Sequence, residues 1–356
     1  MQTETARLHF ACDYMEGAHQ NILQRLAEVN MLPAAGYGSD DCCAAAREKI
    51  RSACSCPQAA VHFLVGGTQA NAVVIAALLH SYQGVLSAAS GHIAVHEAGA
   101  IELGGHKVLA LAHDFGKVRA ETVAAALHKY AADANHEHMV MPGMLYISQP
   151  TEYGTLYSLA ELEALARVCR AHKIPMYVDG ARLAYALASA DNDVSLADLA
   201  RLADVFYIGG TKCGALLGEA VVMPQPGVLP HFFTVMKQHG ALLAKGRLLG
   251  IQFEVLFADG LYQRIGADAV KYAAQIRAAL AEGGFQLYGA APTNQVFFIM
   301  ENVTLARLAE RVEFSFWENY DEARSIIRLA TSWATRGEDV QALCALVRGF
   351  YQGVAR

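Results

Sequence analysis

Short apolar runs alternate with longer amphipathic stretches over the first 223 residues of the chain. The apolar runs are nearly continuous, which is typical of strands that are buried on both faces of a parallel sheet. They predict strands at residues 61–65, 85–89, 108–111, 144–148, 176–178, 205–208 and 220–223.

The amphipathic stretches between these runs predict helices, which include residues 69–81, 121–130 and 159–172. In the third of these, apolar residues recur with a period near 3.6 and form one face. Strands that alternate with helices predict an α/β fold, with a mostly parallel sheet covered by helices on both faces. Because ligands bind such sheets beyond the carboxyl ends of the strands, candidate functional residues are expected there.

The pattern changes after residue 223. Two long helical stretches, 228–243 and 246–280, come first, and a last helix follows Glu338. Between them, a helix near 305–311 is surrounded by short strands at 285–287, 296–300, 314–317 and 326–331. This pattern predicts a smaller α+β domain. Single cores stop growing at roughly 250–300 residues. We therefore predict an N-terminal segment and large domain at 1–245, and a linking helix and small domain at 246–356.

Composition excludes several classes of protein. Hydrophobic residues make up 54% of the 356 residues, and charged residues make up 17%. This hydrophobic content is enough to form a large core, so it excludes intrinsic disorder. The formal net charge of −6 argues against a nucleic-acid partner, because nucleic acid is bound by a basic face. We expect no membrane span, because no apolar run reaches the ~18 residues that a membrane helix needs.

Cysteine and histidine patterns give little indication of metal binding. None of the eight cysteines lies in a CxxC pair, so we expect free thiols and no metal. The histidine-containing segment 136–138 lies among polar residues, and we interpret it as a solvated loop. The first ten residues contain no cleavable apolar stretch, so we expect no signal peptide and a cytoplasmic location.

A glycine-rich turn follows the first predicted strand. Gly66, Gly67 and Thr68 precede a helix, where backbone amides, the positive end of the helix dipole and a hydroxyl can bind a phosphate. Two glycines at this place can also form nothing more than a tight turn. The segment is not a Walker loop, because no GK[ST] follows, and it is not a GxGxxG loop.

Three other predicted strands end in polar side chains. Asp179 either faces a ligand or caps the next helix. Lys212, in a loop with three glycines, is either a partly desolvated nucleophile or an ordinary turn lysine. His92, His96 and Glu97 follow a third strand. They either face a ligand or form hydrogen bonds that only stabilise the fold.

Together, these strand ends match what pyridoxal 5′-phosphate (PLP) needs. A lysine binds the cofactor aldehyde, and an acid keeps the pyridine nitrogen protonated. A helix N-terminus binds the phosphate, and a flat imidazole stacks on the ring. The combination of Lys212, Asp179, the turn at 66–68 and His92 therefore predicts a PLP site.

The sequence also resembles the low-specificity threonine aldolases of the PLP-dependent β-eliminating lyase family, which have the aspartate-aminotransferase-like fold (fold type I). The resemblance covers nearly the whole chain. Its motifs are CDYMEGAH at 12–19, GYG at 36–38, GGT at 66–68, residues 92–99, DGAR at 179–182, GGTKCGA at 209–215 and IRLATSW at 327–333. Seven motifs in the same order identify the family with high specificity. They identify the substrate less specifically.

The resemblance implies a role for each matching residue. Lys212 holds the cofactor, Asp179 pairs with the pyridine nitrogen, His92 stacks on the ring, and Arg247 reaches the phosphate from a neighbouring subunit. The residues implied to contact the cofactor are Gly66, Gly67, Thr68, His92, Asp179, Arg182, Thr211, Lys212 and Arg247. The residues implied to bind the substrate carboxylate are Cys12, Arg182 and Arg328. In this family the active site lies at a dimer interface, so a homotetramer or homodimer is implied.

Two positions depart from the family pattern. Cys12 stands where many members have a serine that helps to bind the carboxylate, and a thiol is the weaker hydrogen-bond donor. Glu152 follows the strand at 144–148, where several relatives have a histidine near the substrate hydroxyl. Glu152 is therefore the candidate catalytic base, and His96 competes for that role.

The resemblance implies an enzyme that cleaves L-threonine or L-allo-threonine, as small-molecule substrates, to glycine and an aldehyde. The main alternative is another fold type I PLP enzyme, a β-eliminating lyase or an aminotransferase that acts on a different amino acid. Such an enzyme would differ in the groups that face the substrate β-carbon, here Glu152 and His96. A PLP-binding protein without activity is disfavoured by the presence of Lys212. A dehydrogenase is disfavoured because no GxGxxG opens the first βα unit.

Overall fold

The computed structural model describes residues 7–350. Residues 1–6, which begin the segment where no signal peptide was expected, lie outside the described residues. The strands are β1 (Leu8–His9), β2 (Ala60–Leu64), β3 (Gln83–Ala88), β4 (Val108–Leu111), β5 (Met141–Ser148), β6 (Met176–Asp179), β7 (Val205–Gly209), β8 (Glu219–Met223), β9 (Gln286–Leu287), β10 (Gln295–Glu301), β11 (Val312–Glu313), β12 (Ser315–Asn319) and β13 (Arg324–Ala330).

Helices connect most of these strands. They are α1 (Gln20–Val29), α2 (Asp41–Ala53), α3 (Gly67–Leu78), α4 (His92–Val95), α5 (Ala100–Leu103), α6 (Ala120–Ala132), α7 (Leu159–His172), α8 (Leu183–Leu187), α9 (Leu196–Leu202), α10 (Phe232–Gln238), α11 (Arg247–Leu256), α12 (Leu261–Ile265), α13 (Ala267–Glu282), α14 (Asn302–Ala309) and α15 (Gly337–Gly349). Of the helices formed by residues 7–350, none is both long enough and apolar enough to cross a membrane.

Seven strands form the central sheet in the order β2-β8-β7-β6-β5-β3-β4. The seven predicted strands are confirmed, each within three residues of its predicted bounds. Only β8 runs antiparallel to its neighbours, β2 and β7. The carboxyl ends of the other six strands therefore meet at one edge. Because it is reversed, β8 begins at that edge, where Glu219 lies opposite Leu64 and Gly209.

Alternate residues of the central strands enter different cores. On β5, Leu145 and Ile147 belong to one buried cluster, whereas Met144 and Tyr146 belong to the cluster on the opposite face. Apolar side chains on both faces of a strand require helices on both sides of the sheet. This burial explains why the strands are nearly continuous apolar runs in the sequence.

The helix α7 has the predicted bounds because its ends are well specified. Ser158 caps it, with a reciprocal hydrogen bond between Ser158 and Glu161. Lys173, in the left-handed conformation, ends it.

The two long helices predicted after residue 223 are wrong in extent. Only α10 forms within 228–243, because His231 and Gly240 adopt left-handed conformations on either side of it. The stretch 246–280 is divided into α11, α12 and α13. A left-handed pair, Asp259 and Gly260, separates the first two, and Gly266 separates the second from the third.

A second, antiparallel sheet has the order β12-β13-β10-β9. Phe298 of β10 and Ile327 of β13 share a core with Ile276 of α13 and Leu343 of α15. At the other end of the chain, β1 pairs in parallel with β11, so the N-terminal segment joins this C-terminal part. The division into 1–245 and 246–356 stays a prediction.

Candidate active site

A cavity of about 520 Å³ opens where the carboxyl edge of the central sheet meets the small sheet. It collects eleven of the thirteen predicted site residues: Gly66, Gly67, Thr68, His92, His96, Glu152, Asp179, Arg182, Thr211, Lys212 and Arg328. Ser315, Phe316 and Trp317 of β12 complete the wall on the side of the small sheet. The other two predicted residues, Cys12 and Arg247, do not line it.

Asp179, the last residue of β6, is a buried anion in this cavity. Tyr146 donates to its Oδ2 at 2.6 Å, and Tyr207 donates to its Oδ1. Burial alone would raise the pKa of Asp179. The charge of His92 and the hydrogen bonds from Tyr146 and Tyr207 outweigh burial and hold that pKa below its usual range. Asp179 therefore carries the charge that a protonated pyridine nitrogen requires.

The sheet register explains why tyrosines surround this acid. Tyr146 lies opposite Tyr177, and Ser148 lies opposite Asp179, on neighbouring parallel strands. Side chains two residues apart on a strand share a face, so hydroxyl groups and the carboxylate point the same way. The strands approach closely here, since a Cβ on Gly180 would lie 2.1 Å from the Tyr207 carbonyl oxygen.

Lys212 follows β7 and reaches the same cavity. Among residues 7–350 its Nζ has no hydrogen-bond or ion-pair partner, and it lies 5.8 Å from the centroid of the Tyr14 ring. Burial and the charge of Arg182 lower the pKa of Lys212. An unpaired amine with a lowered pKa is a competent nucleophile for an aldehyde.

Arg182 is committed to an internal ion pair. Its Nε and Nη2 donate to the two carboxylate oxygens of Asp13 at 2.6 and 3.0 Å, and Asn294 adds a third hydrogen bond to Asp13 at 2.9 Å. Burial would raise the pKa of Asp13, but the charges of Arg182 and Lys212 hold it well below its usual range. The N–H groups of Arg182 that Asp13 does not accept, both on Nη1 and one on Nη2, remain for a ligand. The predicted contacts of Arg182 with substrate and cofactor stay predictions.

Arg328 has a different environment. It donates to Ser315 Oγ at 3.0 Å, to the Ala11 carbonyl at 3.1 Å and to Gln295 Oε1 at 3.2 Å. No carboxylate of residues 7–350 lies within 4.0 Å, and its buried Nε has no partner there. Burial and the charge of Arg182 lower the pKa of Arg328. A buried guanidinium without a counter-ion fits the carboxylate of a bound amino acid.

Glu152 and His96 are the two candidate bases. Ser148 Oγ donates to Glu152 Oε1 at 2.7 Å and the His92 backbone amide donates to the same oxygen at 2.9 Å, while burial raises the pKa of Glu152. His96 lies between the rings of His92 and Trp317, with centroids 5.6 Å away in each case. Burial and the charge of His92 lower the pKa of His96, so its imidazole is neutral at neutral pH.

Glu219 is a cavity residue that the sequence analysis missed. The Gly210 amide donates to its Oε2 at 3.1 Å. Burial raises the pKa of Glu219 to about 8, although the Thr211 hydroxyl, the charge of Lys212 and the Gly210 amide act in the opposite direction. Glu219 opens β8, and the apolar run that predicts this strand begins one residue later, at Ala220.

The predicted phosphate site lies at the start of α3. Gly66 is the N-cap, with an extended backbone, and the helix begins at Gly67. A Cβ on Gly67 would lie 3.1 Å from the Tyr207 hydroxyl. The first backbone amides of the helix and the Thr68 side chain are available to an anion at the cavity wall.

The two residues outside the cavity have other contacts. Arg247 donates to the backbone carbonyls of Leu32 and Asn30 in the same chain. Its predicted reach to a phosphate in a neighbouring subunit stays a prediction. Cys12 lies between Ala11, which binds Arg328, and Asp13, and its predicted contact with the substrate also stays a prediction.

The residues of the cavity fit PLP. Lys212 offers an unpaired amine, Asp179 a buried anion, and α3 a free helix N-terminus, all in one cavity. Burying an amine or a carboxylate without a compensating charge costs free energy. A cofactor that binds both groups would supply their partners and would explain why they are buried together.

Residues 10–303 match the model of the beta-eliminating lyase family. A low specificity L-threonine aldolase of Pseudomonas aeruginosa is 29% identical over 345 residues, which cover 95% of this chain and 96% of that protein. A solved threonine aldolase from Leishmania major is 42% identical, with a TM-score of 0.92 over 96% of this chain and 99% of that one.

The fold is shared more widely. An aspartate aminotransferase from Thermus thermophilus has 15% identity and a TM-score of 0.71, over 98% of this chain and 97% of that one. The predicted α/β class and fold type I are confirmed by these structures and by the observed sheets.

Proposed function

The chain belongs to the beta-eliminating lyase family, and from this premise we propose that it cleaves L-threonine and L-allo-threonine to glycine and acetaldehyde. It is a PLP-dependent lyase. Two relatives that cover at least 95% of the chain are named threonine aldolases. They do not favour the alternative of a lyase or aminotransferase that acts on a different amino acid.

One observation carries the proposal: an amine without a partner and a guanidinium without a counter-ion, among residues 7–350, share a cavity with a buried anion. Lys212 supplies the amine to which the cofactor attaches, Asp179 the charge opposite its ring nitrogen, and Arg328 the site for the substrate carboxylate. When bound, PLP acts as a sink for the electrons of the bond that breaks at the α-carbon.

Arg328 does more than bind. Held on one side by Ser315 and on another by the Trp317 ring, whose centroid is 5.3 Å from its Cζ, the guanidinium is fixed in place. A carboxylate bound there restricts rotation about the α-carbon, and such orientation lowers the barrier to cleavage of one chosen bond. The small sheet thus selects the bond that reacts.

We assign removal of the β-hydroxyl proton to Glu152. Its carboxylate is fixed at Oε1 by Ser148, and a pKa raised by burial makes it a stronger base. His96 is the second candidate, because its neutral ring lines the cavity and has no hydrogen-bond partner among residues 7–350. Substituting the true base should lower kcat about 100-fold or more. Glu152→Gln and His96→Asn are therefore compared by kcat, with bound glycine followed by cofactor absorbance as the control for an intact site.

The experiment that tests the function is aldehyde release from the purified, PLP-loaded protein. L-Threonine and L-allo-threonine are supplied separately, with L-alanine as the substrate that lacks a β-hydroxyl. We expect acetaldehyde from both threonine isomers and none from L-alanine. If neither isomer is cleaved while added amino acids still shift the cofactor absorbance, the PLP site stands and the aldolase proposal falls.

We propose further that the chain acts in the cytoplasm as a homodimer or homotetramer with the active site at an interface. Exposed apolar side chains support this: the neighbouring residues Met31 and Leu32 are 87% and 58% exposed, and Tyr14, which is part of the cavity wall, is 54% exposed. Apolar surface exposed in this way is available to a partner subunit. Light scattering should give a mass of two or four times 38.3 kDa, and a monomer would refute the assembly.

A further inference from the structure

Two buried polar side chains stand behind the cavity and have no role in the function proposed above. They are Asn71, in the second turn of α3, and Glu97, which follows α4. Asn71 is 0% exposed and Glu97 5%, and neither lines the cavity. Burying an amide or a carboxylate costs free energy unless its hydrogen bonds are made, so both positions call for an explanation.

Asn71 joins two acids. Its Nδ2 donates to Glu97 Oε1 at 2.7 Å and to Asp179 Oδ2 at 3.2 Å. The Tyr177 hydroxyl donates to Asn71 Oδ1 at 2.9 Å. Since a hydroxyl donor on one side and two carboxylate acceptors on the other allow one orientation of the amide, its NH2 group is directed at the acids.

Glu97 holds the imidazole of His92. Its Oε1, which already accepts the Asn71 amide, also lies 2.8 Å from His92 Nδ1. That contact requires a proton on Nδ1, which leaves Nε2 and the faces of the ring for the cavity. The other oxygen, Glu97 Oε2, is buried without a partner among residues 7–350. Burial of this oxygen is unfavourable, but the same carboxylate fixes the position of the His92 ring.

These contacts form one continuous path. It runs from His92 through Glu97 and Asn71 to Asp179, and each link is a hydrogen bond of 3.2 Å or less. His92 and Asp179 both line the cavity, while the two residues between them do not. The charge of His92 also lowers the pKa of Asp179, so the two ends are coupled electrostatically as well.

We propose that Asn71 and Glu97 are positioning residues that orient His92 and Asp179 as one buried unit. The proposal rests on the proposed function in one respect: His92 and Asp179 are taken to contact the face and the nitrogen of the cofactor ring. Asn71 adds a hydrogen bond to the Asp179 carboxylate beside those from Tyr146 and Tyr207. Glu97 fixes the imidazole, and the shared oxygen Glu97 Oε1 makes each of these contacts depend on the other. Disturbing either residue therefore disturbs both contacts.

The first test is a double-mutant cycle on PLP affinity. Asn71→Leu removes the amide at similar volume, and Glu97→Ala removes the carboxylate. Each should raise the Kd for PLP about tenfold, as expected for loss of one hydrogen bond to a charged group. The double variant should raise it by much less than the product of the two, since both substitutions break the same unit. Glu97→Gln, which keeps an acceptor oxygen, should recover part of the loss.

The second test reads the position of His92 directly. In protein with 15N-labelled histidine, Asn71→Leu should shift the His92 side-chain resonances, although no hydrogen bond joins Asn71 directly to His92. The matched control is Gln252→Leu, which removes another fully buried amide, one bound to the loop amides of Leu216 and Leu217. It should leave the His92 resonances in place.

Two results would overturn the proposal: a double variant whose loss equals the product of the single losses, or His92 resonances that Asn71→Leu leaves unchanged. If Glu97→Ala does not fold, Glu97→Gln with Asn71→Leu completes the same cycle. The resonances are measured in PLP-loaded and PLP-free protein. Failure of PLP to bind the unsubstituted chain would count against the proposed function, whereas the PLP-free spectra test the buried unit on its own.

Discussion

Two arginines line the cavity, and their neighbours give them different tasks. Arg182 directs two donors at Asp13, so its charge is neutralised within the protein. Arg328 contacts a backbone carbonyl, a hydroxyl and an amide, none of which carries charge. Arg328 is therefore the proposed counter-ion for the carboxylate of an entering substrate.

Arg328→Lys should weaken substrate binding more than it slows the bound reaction. Lysine keeps the charge but loses the planar fork, and a charge-assisted contact is worth about 1.5–3 kcal/mol. We expect the KM for L-threonine to rise about tenfold or more, measured by aldehyde release over a range of substrate concentrations. The exposed Arg336→Lys serves as the control. An unchanged KM in the Arg328 variant would show that the carboxylate binds elsewhere.

Glu219 should make the PLP-free protein less stable as the pH rises. Its pKa is about 8 in the folded chain, against about 4.3 for a free glutamate. The unfolded chain therefore loses this proton first, and between these two values rising pH favours unfolding.

Glu219→Gln removes that penalty. Thermal unfolding of the PLP-free variant should show a gain in stability over the unsubstituted chain of about 1–3 kcal/mol at pH 8, and a much smaller gain at pH 5. Glu137→Gln, at an exposed glutamate, should show no such dependence on pH. A gain at pH 5 that equals or exceeds the gain at pH 8 would contradict the raised pKa of Glu219.

At the scale of elements, the site depends on how closely β6 and β7 approach beyond their ends. A Cβ on Gly180 would lie 2.1 Å from the Tyr207 carbonyl oxygen, and one on Gly209 would lie 2.3 Å from that of Ala181. Glycine at these positions lets the strand that carries Asp179 pack against the strand that leads to Lys212. The spacing of the acid and the amine is thereby set by backbone contact.

Gly180→Ala should force these two strand ends apart. Overpacking of this kind costs about 1–3 kcal/mol, and backbone cannot move aside as a flexible side chain can. Urea unfolding should reveal the loss, together with weaker PLP binding. Gly17→Ala, where an added Cβ would meet nothing within 4 Å, should change stability by no more than about 0.5 kcal/mol. Equal stability of the two variants would mean that the close approach is not required.

Periodicity predicted the elements of the central sheet well because their signals are local. The strands are apolar on both faces, and α7 carries its own cap at Ser158. The stretch 246–280 has helical periodicity throughout, and that signal does not reveal a left-handed Asp259. Tertiary packing decides that residue, so the breaks between α11, α12 and α13 were not predictable from the apolar pattern.

Some residues of the candidate site could be predicted from local sequence signals, and others could not. Residues at strand ends, such as Asp179 and Lys212, could be predicted because their position relative to a strand is a local property. Asn71 and Asp13 could not, because their partners are distant in sequence: Asn71 and Asp179 are 108 residues apart, and Asp13 and Arg182 are 169 apart. Hydroxyl groups at alternate positions in buried strands, as at Tyr146, were the signal that could have identified more of the site.

At the scale of the whole molecule, the N-terminal segment fastens the two sheets to each other. It contributes β1 to a pair with β11, binds Arg328 of β13 through the Ala11 carbonyl, and places Asp13 between Arg182 and Asn294. The proposed substrate site is therefore assembled from three distant parts of the chain.

Asp13→Asn should destabilise the fold strongly at neutral pH. The substitution leaves Arg182 buried without its counter-ion, and breaking a buried pair in this way costs about 3–5 kcal/mol. Because folding lowers the pKa of Asp13, its contribution is fully present above the unfolded value of about 3.9 and is lost as the pH falls below it.

The difference in urea unfolding between Asp13→Asn and the unsubstituted chain should therefore be largest near pH 7 and should shrink towards pH 3. Asp321→Asn, at an exposed ion pair with Arg324, is the control and should have little effect at either pH. A difference for Asp13→Asn that stays constant with pH would contradict the role of the buried ion pair.

We propose that Lys212 and the groups around it make this chain a PLP-dependent enzyme that splits threonine between its α- and β-carbons. This proposal is tested most directly by 13C NMR of fully labelled L-threonine incubated with the PLP-loaded protein and with its Lys212→Ala variant. We predict equal amounts of labelled glycine and acetaldehyde from the unsubstituted chain and almost none from the variant. Formation of a four-carbon keto acid instead would contradict the aldolase activity, and full activity without Lys212 would contradict the role of this lysine.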